Sequence, residues 1–140
     1  MRHSLYFLTA LALSAQMSMA HADEMSEFQK AQTAAHAWLK QVDQGNYAKS
    51  WQKSAEPLKK ATTAKQLQTA IGEARAPLGK LISRQPISAQ YTRTLPDVAT
   101  GEYVVVQYET RFTNRAAVIE TITRMRESDG VWRVSGYYLK

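Results

Sequence analysis

Apolar residues in the first half of the chain recur at three- and four-residue spacing, the period of an amphipathic helix. The clearest stripe covers residues 26–43 and is followed by Gly45, a residue that commonly ends helices. A shorter helix is predicted over residues 47–55, ending before Pro57. A third is predicted over residues 63–76, because its opening Thr-Ala-Lys-Gln has the form of a capping box.

From Lys80 onward the apolar period changes to two, which indicates β-strands. The Asp129–Gly130 dipeptide is a strong signal for a two-residue hairpin turn. The sequence therefore predicts an α+β fold in which three amino-terminal helices pack on a curved antiparallel sheet. Its strands are expected over residues 81–89, 91–94, 102–113, 117–127 and 131–139.

A second two-residue turn is predicted at residues 114–115, and the two turns together set a register for the last three strands. One face of the resulting sheet, which contains Val104 and Val106, is expected to pack on the helices. The expected cross-strand partners are Thr123 with Gly136, Met125 with Val134, Phe112 with Ala117 and Val104 with Met125.

The amino terminus has the layout of a cleavable signal peptide. Arg2 precedes an uncharged stretch over residues 5–15, which is too short to span a bilayer because a span needs about 20 apolar residues. Small residues at Ala20 and Ala22 then occupy the positions that signal peptidase reads. We therefore expect a signal peptide over residues 1–22, with cleavage after Ala20 as the alternative, and a single periplasmic or secreted domain over residues 23–140.

Composition narrows the chemistry of the exported domain. The chain has no cysteine, which excludes thiolate metal sites and cysteine nucleophiles, and His36 is the only histidine after residue 22. We therefore expect no metal and no cofactor. Cleavage after Ala22 leaves 17 Lys and Arg against 12 Asp and Glu, a net charge of +5. Outside the cytoplasm, this charge favours an anionic lipid or envelope polymer over nucleic acid as a partner.

A ligand pocket is predicted between the helices and the inner face of the sheet. Small-molecule sites are mostly apolar clefts with a few convergent polar groups, and the expected register places several hydroxyl groups among apolar neighbours there. The alternative is a closed core in which these hydroxyls bond to backbone or water. The candidate ligand-binding residues are Tyr108, Thr110, Thr121, Thr123 and Tyr138.

Three arginines are predicted to form an anion-binding cluster on the outer face. Arg126 falls opposite Arg133 in the expected register, with Arg124 close by, and like charges directly across a ladder are destabilising unless something compensates them. An anionic partner is one compensation, and a neighbouring carboxylate such as Glu127 is another. A solvated charged surface is the alternative interpretation.

Two carboxylate pairs are candidates for acid–base chemistry. Glu109 and Glu120 face each other in the expected register, but on the outer face beside Arg111, where a lattice of exposed charges is the better interpretation. His36 lies at the border of the first helical stripe, and Asp43 follows about two turns later near the same edge. We assign no catalytic residue to either pair.

Several short stretches carry a resemblance to a known family. They are Ala37-Trp38-Leu39, Val42-Asp43, Arg75-Ala76-Pro77-Leu78-Gly79, Ser83-Arg84, Gly101 to Gln107, Glu120-Thr121 and Trp132 to Tyr137. In these stretches the chain resembles the bacterial family catalogued as domain of unknown function 4019. Its layout is also similar to the nuclear-transport-factor-2-like, or cystatin-like, superfamily, which implies helices packed on a curved sheet. Because that superfamily includes both enzymes and structural modules, the resemblance implies a fold and no specific activity.

No motif in the chain identifies a reaction. We expect a non-catalytic binding or interaction module with a small-molecule or anionic envelope ligand, and the alternative is a pocket-based isomerase, dehydratase or hydrolase. A third interpretation is a structural module that forms a homodimer through the outer sheet face. Its apolar anchors would be Tyr103, Val105, Val118, Ile122, Tyr137 and Leu139.

Overall fold

The computed structural model describes residues 8–140, in which helices are followed by a four-stranded antiparallel sheet. The architecture is α+β, as the sequence predicted. Arg2 and the start of the expected signal peptide lie outside the described residues. The elements are α1 (Leu8–Asp43), α2 (Tyr47–Gln52), α3 (Glu56–Ala61), α4 (Ala64–Arg75), the 3-10 turn Ala76–Leu78, β1 (Leu81–Thr92), β2 (Tyr103–Phe112), β3 (Arg115–Arg126) and β4 (Trp132–Leu139).

Two of the predicted helix boundaries are wrong. The first helix does not start at Ser26, because residues 20–25 contain neither proline nor glycine and continue the helix that begins at Leu8. The predicted helix over residues 47–55 ends at Gln52, and a separate helix, α3, follows with Pro57 in its first turn. Proline is tolerated there because N–H groups in the first turn have no hydrogen-bond partner within the helix, so the absence of an N–H on proline breaks no bond.

The predicted capping box at the start of α4 is confirmed. The backbone N–H of Gln66 donates to Thr63 Oγ1 at 3.2 Å, and the backbone N–H of Thr63 donates to Gln66 Oε1 at 2.9 Å. Both bonds satisfy donors that a helix start leaves without partners. They fix the position at which α4 begins. The other end of α4 carries Arg75, one of the arginines of the candidate site.

The sheet has the strand order β1-β2-β3-β4, and every neighbouring pair is antiparallel. The structure forms one strand, β1, where the sequence predicted two over residues 81–89 and 91–94. Its pairing with β2 is irregular between Pro86 and Ser88, and that irregularity lets the strand continue through the region. β1 lies at the sheet edge and is largely exposed along its length.

The predicted pairing of β2 with β3 is wrong by one residue. The turn occupies residues 113–114 instead of 114–115, which alone would shift the pairing by two residues, and an irregularity opposite residues 110–112 takes one residue back, so the net shift is one. Val104 therefore faces Arg124 and not Met125. Since side chains alternate between the two faces, a shift of one residue exchanges the faces of the whole strand. The β3 residues that face the helices are consequently Val118, Glu120, Ile122 and Arg124, all of them buried.

The predicted pairing of β3 with β4 is correct at one end only. Thr123 faces Gly136 as expected, but Met125 faces Arg133 and not Val134, because β4 has one extra residue at Ser135. Such a bulge changes which side chains point inward on either side of it. Tyr137 and Leu139 therefore turn toward the interior, where Tyr137 contacts Trp38 and Leu139 packs beside Phe112, and Tyr138 is 63% exposed.

The main core lies between α1 and the inner face of β2, β3 and β4. Trp38 is at its centre: the indole N–H donates to Ser54 Oγ at 2.9 Å, and the ring lies 5.2 Å from that of Tyr137. Within residues 8–140, no helix combines the length and the apolar character that crossing a bilayer requires. The largest apolar contributors to the core are Trp38, Leu39, Val42, Val104, Val106, Tyr108, Ile122, Trp132 and Val134.

The predicted dimer anchors do not form an exposed patch. Val118 and Ile122 belong to the interior, and Tyr137 and Leu139 also face the helices. Tyr103 is buried beside the loop before β2, where its hydroxyl donates to Ala99 O at 2.6 Å. The homodimer stays a prediction, without the anchors that suggested it.

Candidate functional site

Glu120 is a carboxylate in the interior, although the sequence placed it on the outer face opposite Glu109. Its side chain is fully buried. Arg84 donates from Nε to Oε1 at 2.6 Å and from Nη2 to Oε2 at 3.2 Å. The hydroxyls of Thr110 and Tyr137 donate to Oε1 and Oε2. Glu109 lies across from Ile119 instead, on the exposed side.

Arg84 joins Glu120 to a second carboxylate, Asp43, at the end of α1. Arg84 Nη1 and Nη2 donate to the two oxygens of Asp43 at 2.8 and 3.0 Å, which is the bidentate geometry that a guanidinium favours. Burial opposes the ionisation of Asp43, but the hydrogen bonds and charges of Arg84 and Arg75 outweigh it and hold its pKa below the ordinary 3.8. Burial likewise opposes the charge on Arg84, yet its two carboxylates raise its pKa above the usual range.

Arg75, at the end of α4, adds a second guanidinium to the same group. Its Nη2 lies 2.8 Å from Asp43 Oδ1, and its guanidinium carbon lies 5.1 Å from the centre of the Phe112 ring. The side chain is about nine-tenths buried, and its Nη1 has no hydrogen-bond partner among the described residues. Together these side chains form the Glu120 network, defined as Asp43, Arg75, Arg84, Thr110, Glu120 and Tyr137.

The Glu120 network leaves its central carboxylate with little capacity for chemistry. A carboxylate offers roughly four lone-pair positions, and the four donated bonds from Arg84, Thr110 and Tyr137 occupy them. Burial, followed by the charge and hydrogen bond of Glu120, raises the pKa of Tyr137, so its hydroxyl stays protonated and continues to donate. A general base must reach the proton that it removes, and Glu120 has no exposed surface from which to do so.

An open cleft of about 630 Å³ lies beside the network, between the end of α1, the end of α4 and the start of β1. We call it the α1–α4 cleft. Its charged lining consists of Asp43, Arg75 and Lys80, and Gly79 at φ 80° lets the chain turn from the 3-10 turn into β1. The other lining residues are Val42, Gln44, Gly45, Tyr47, Gly72, Ala76, Gly79 and Leu81.

Comparison with known families identifies the chain at this point. The model of the family described as Protein of unknown function (DUF4019) matches residues 34–137. This protein belongs to the DUF4019 family. No curated protein and no solved structure matches the chain. The DUF4019 segment contains all six members of the Glu120 network and the whole lining of the α1–α4 cleft.

Five of the seven stretches that carry the DUF4019 resemblance contribute a residue to the Glu120 network. Asp43, Arg75, Arg84, Glu120 and Tyr137 each belong to a different one of these stretches, and α1, α4, β1, β3 and β4 each contribute one of them. Long-range ion pairs and hydrogen bonds therefore connect segments that are far apart in the sequence. In this part of the DUF4019 domain, residues from separate stretches of the sequence are in direct contact.

The residues of the predicted inner-face pocket are divided between the two faces of the sheet. Tyr108 and Thr110 are buried and face the helices, as expected. Thr121, Thr123 and Tyr138 lie on the opposite face, because the register of β3 and the bulge in β4 both differ from the prediction. The pocket as the sequence defined it is therefore not assembled.

The three arginines of the predicted anion cluster are also separated. Arg124 is buried in the core, and Arg126 faces Trp132 instead of Arg133. Arg126 lies within 3.3 Å of Glu102 and 3.5 Å of Glu27. Arg133 pairs with Glu127 at 2.6 Å and with Asp129 at 2.9 Å, so carboxylates compensate both of the arginines that remain near the surface.

The sequence analysis weighed Glu120 only as a member of an exposed pair with Glu109, and it named neither Arg84 nor Arg75 as a site residue. A signal was present in β3, where Val118 and Ile122 flank Glu120 at a spacing of two and favour burial of all three. Of the other two acid–base candidates, His36 is exposed and Asp43 belongs to the Glu120 network. Among the described residues, no group of three or more His, Asp or Glu side chains could hold a metal ion.

Proposed function

We propose that this DUF4019 protein is an exported, non-catalytic binding module that holds a small anionic ligand in the α1–α4 cleft. The observation that carries the proposal is Arg75, a nearly buried guanidinium in the cleft lining whose Nη1 has no hydrogen-bond partner within residues 8–140. An unsatisfied buried donor costs roughly 1–3 kcal/mol, and more when it is charged, so a site that retains one requires an explanation. An anionic oxygen would supply the missing acceptor.

The charges around the cleft favour an anion over a cation. Arg75 and Asp43 compensate each other, whereas Lys80 has no carboxylate partner among the described residues. The cleft volume lies in the range of about 300–1,000 Å³ that is typical of small-molecule sites. A carboxylate or phosphate group between Lys80 and Arg75 would gain charge-assisted hydrogen bonds from both side chains.

A pocket-based isomerase, dehydratase or hydrolase is the second candidate, and the interior pair of Glu120 and Tyr137 is the observation in its favour. An acid beside a phenol could in principle exchange a proton with a substrate. The saturation and complete burial of Glu120 count against this role, so we infer that the pair holds the fold together and that the ligand is bound without being converted.

The fold and the compartment belong to the same proposal. A long helix packed on a four-stranded antiparallel sheet supports the nuclear-transport-factor-2-like assignment. The pattern of residues 1–22 supports export, with a mature protein that begins at Asp23. Mass spectrometry of the protein from its native envelope tests the second point, and an intact chain beginning at Met1 in that fraction would contradict it.

Titration calorimetry with inorganic phosphate and with succinate tests the cleft. We expect at least one of them to bind the purified protein at low salt, and Lys80→Gln to weaken that binding about fivefold. Lys65→Gln, at the other end of α4, is the matched control and should bind as the wild type does. Affinity should fall as salt rises, because screening acts over about 8 Å at physiological ionic strength. If neither anion binds, or if Lys80→Gln and Lys65→Gln bind equally, the cleft is not the site.

A further inference from the structure

Arg124 is a cation in the core without a counter-charge in the described part of the chain. Its side chain is fully buried under α1, and no carboxylate of residues 8–140 forms an ion pair with it. Its hydrogen bonds go to Gln32 Oε1 at 2.9 Å, Ala31 O at 3.2 Å and Val104 O at 3.4 Å. Nη2, the remaining nitrogen, has no partner among the described residues.

This arrangement is energetically expensive unless something compensates it. A buried charge is normally paired or neutralised, and a guanidinium does not give up its proton in proteins. Burial lowers the pKa of Arg124 to about 10, against the opposing effect of Tyr108, which still leaves the side chain charged at neutral pH. Neutral acceptors such as an amide oxygen and two backbone carbonyls contribute only partial charges.

One further polar group, the hydroxyl of Tyr108, converges on the same point. The hydroxyl of Tyr108 donates to Gln32 Oε1 at 3.2 Å, so this one amide oxygen accepts bonds from both Tyr108 and Arg124. An incoming anionic oxygen could relieve that crowding by accepting from Arg124 directly. The surroundings are otherwise apolar, with Val104, Val106 and Ile122 forming the sheet side.

The apolar inner face of the sheet continues from this buried point to solvent. On β1, Pro86 faces Tyr108, Ala89 faces Val106 and Tyr91 faces Val104 across the ladder, so their side chains share the inner face. All three of these β1 residues are exposed. The inner face is thus enclosed by helices over β2 and β3 and open over β1, which provides a path along which an apolar group could lie.

We infer that Arg124, Gln32 and Tyr108 bind the carboxylate or phosphate head of an amphiphile whose apolar chain lies on the exposed inner face of β1. The site is distinct from the α1–α4 cleft. Arg124 faces Val104 near one end of β2, and Arg75 stacks on Phe112 at the other end. Eight residues of strand separate the two positions by about 26 Å at 3.3 Å per residue.

Titration calorimetry with monomeric octanoate, octyl phosphate and octanol tests the inference. At least one anionic amphiphile should bind the purified protein at least tenfold more tightly than octanol, which has the same chain without the charge. Arg124→Met should remove that preference, because methionine keeps the apolar bulk and loses the cation. Lys80→Gln, which changes only the α1–α4 cleft, should retain it, so the two sites succeed or fail separately.

Because Arg124→Met changes a buried side chain and could fail to fold, a second variant tests the same site from an exposed position. Ala89→Glu adds a negative charge at an exposed position on the inner face of β1, and it should weaken at least tenfold the binding of whichever anionic amphiphile the wild type binds. Gln90→Glu adds the same charge to the opposite face of β1 and should bind as the wild type does. Equal binding of octanol and the two anions, absence of binding by both anions, or equal effects of Ala89→Glu and Gln90→Glu would overturn the inference.

Discussion

Replacing Glu120 by glutamine should destabilise the protein much more than the same replacement at Glu109. The two glutamates lie on neighbouring strands, but Glu120 is fully buried beneath four donated hydrogen bonds and Glu109 is exposed on the other face. Glutamine keeps the shape of the side chain. It removes the charge that faces Arg84, and it replaces one acceptor oxygen by an amide NH2 group that faces other hydrogen-bond donors.

The magnitude follows from the partners that remain. Breaking a buried ion pair by removing one member usually costs 3–5 kcal/mol, to judge from other proteins. Arg84 keeps its bidentate bond to Asp43 in the variant, so we place the loss near the lower limit, at about 3 kcal/mol. Exposed substitutions usually stay within about 0.5 kcal/mol, which is the expectation for Glu109→Gln.

Urea unfolding at neutral pH, followed by tryptophan fluorescence, measures both changes, and a thermal melt provides the second reading. For a domain of this size, about 3 kcal/mol corresponds to a fall in Tm of roughly 10 °C. Equal and small losses for Glu120→Gln and Glu109→Gln would refute the inward placement of Glu120. They would favour the register expected from the turns alone, in which both glutamates share the outer face.

Three further predictions address the faces of the sheet and the charges. Val106→Asp, in the core, should cost several kcal/mol in urea unfolding, and Val105→Asp, on the outer face, much less; equal costs would mean that the faces are assigned wrongly. The stability difference between wild type and Asp43→Asn should be complete above pH 3.8 and should shrink as the pH falls through the lowered pKa of Asp43, in melts across an acid series; a constant difference would contradict the network. Arg126→Thr removes the ion pairs of Arg126 with Glu27 and Glu102, so it should reduce the free energy of unfolding by up to about 1 kcal/mol and lower the Tm slightly. A raised Tm would instead indicate repulsion between Arg126 and Arg133.

Local chemistry was sufficient to predict most of the elements. The apolar period changes from about four to two near Lys80, the capping box at Thr63 starts α4, and the Asp129–Gly130 turn precedes β4, and each of these signals depends only on residues close in the sequence. Helix ends that depend on neighbouring context were harder. Pro57 predicts the end of a helix, but the first turn of a helix accepts proline equally well, and that is where the structure places it.

Which residues form the candidate sites was decided by the tertiary structure. The irregular pairing between Thr110 and Phe112, next to the turn, and the extra residue at Ser135 placed Glu120 and Arg124 inward and Tyr138 outward. Side chains alternate along a strand, so a shift of one residue preserves the strand and reverses its faces. The sequence by itself therefore determined that the chain is a helical half followed by a sheet, with an excess of positive charge. Only the packing of α1 and α4 on that sheet decided which charges are buried together, because burial and pairing depend on contacts between segments that lie far apart in the chain.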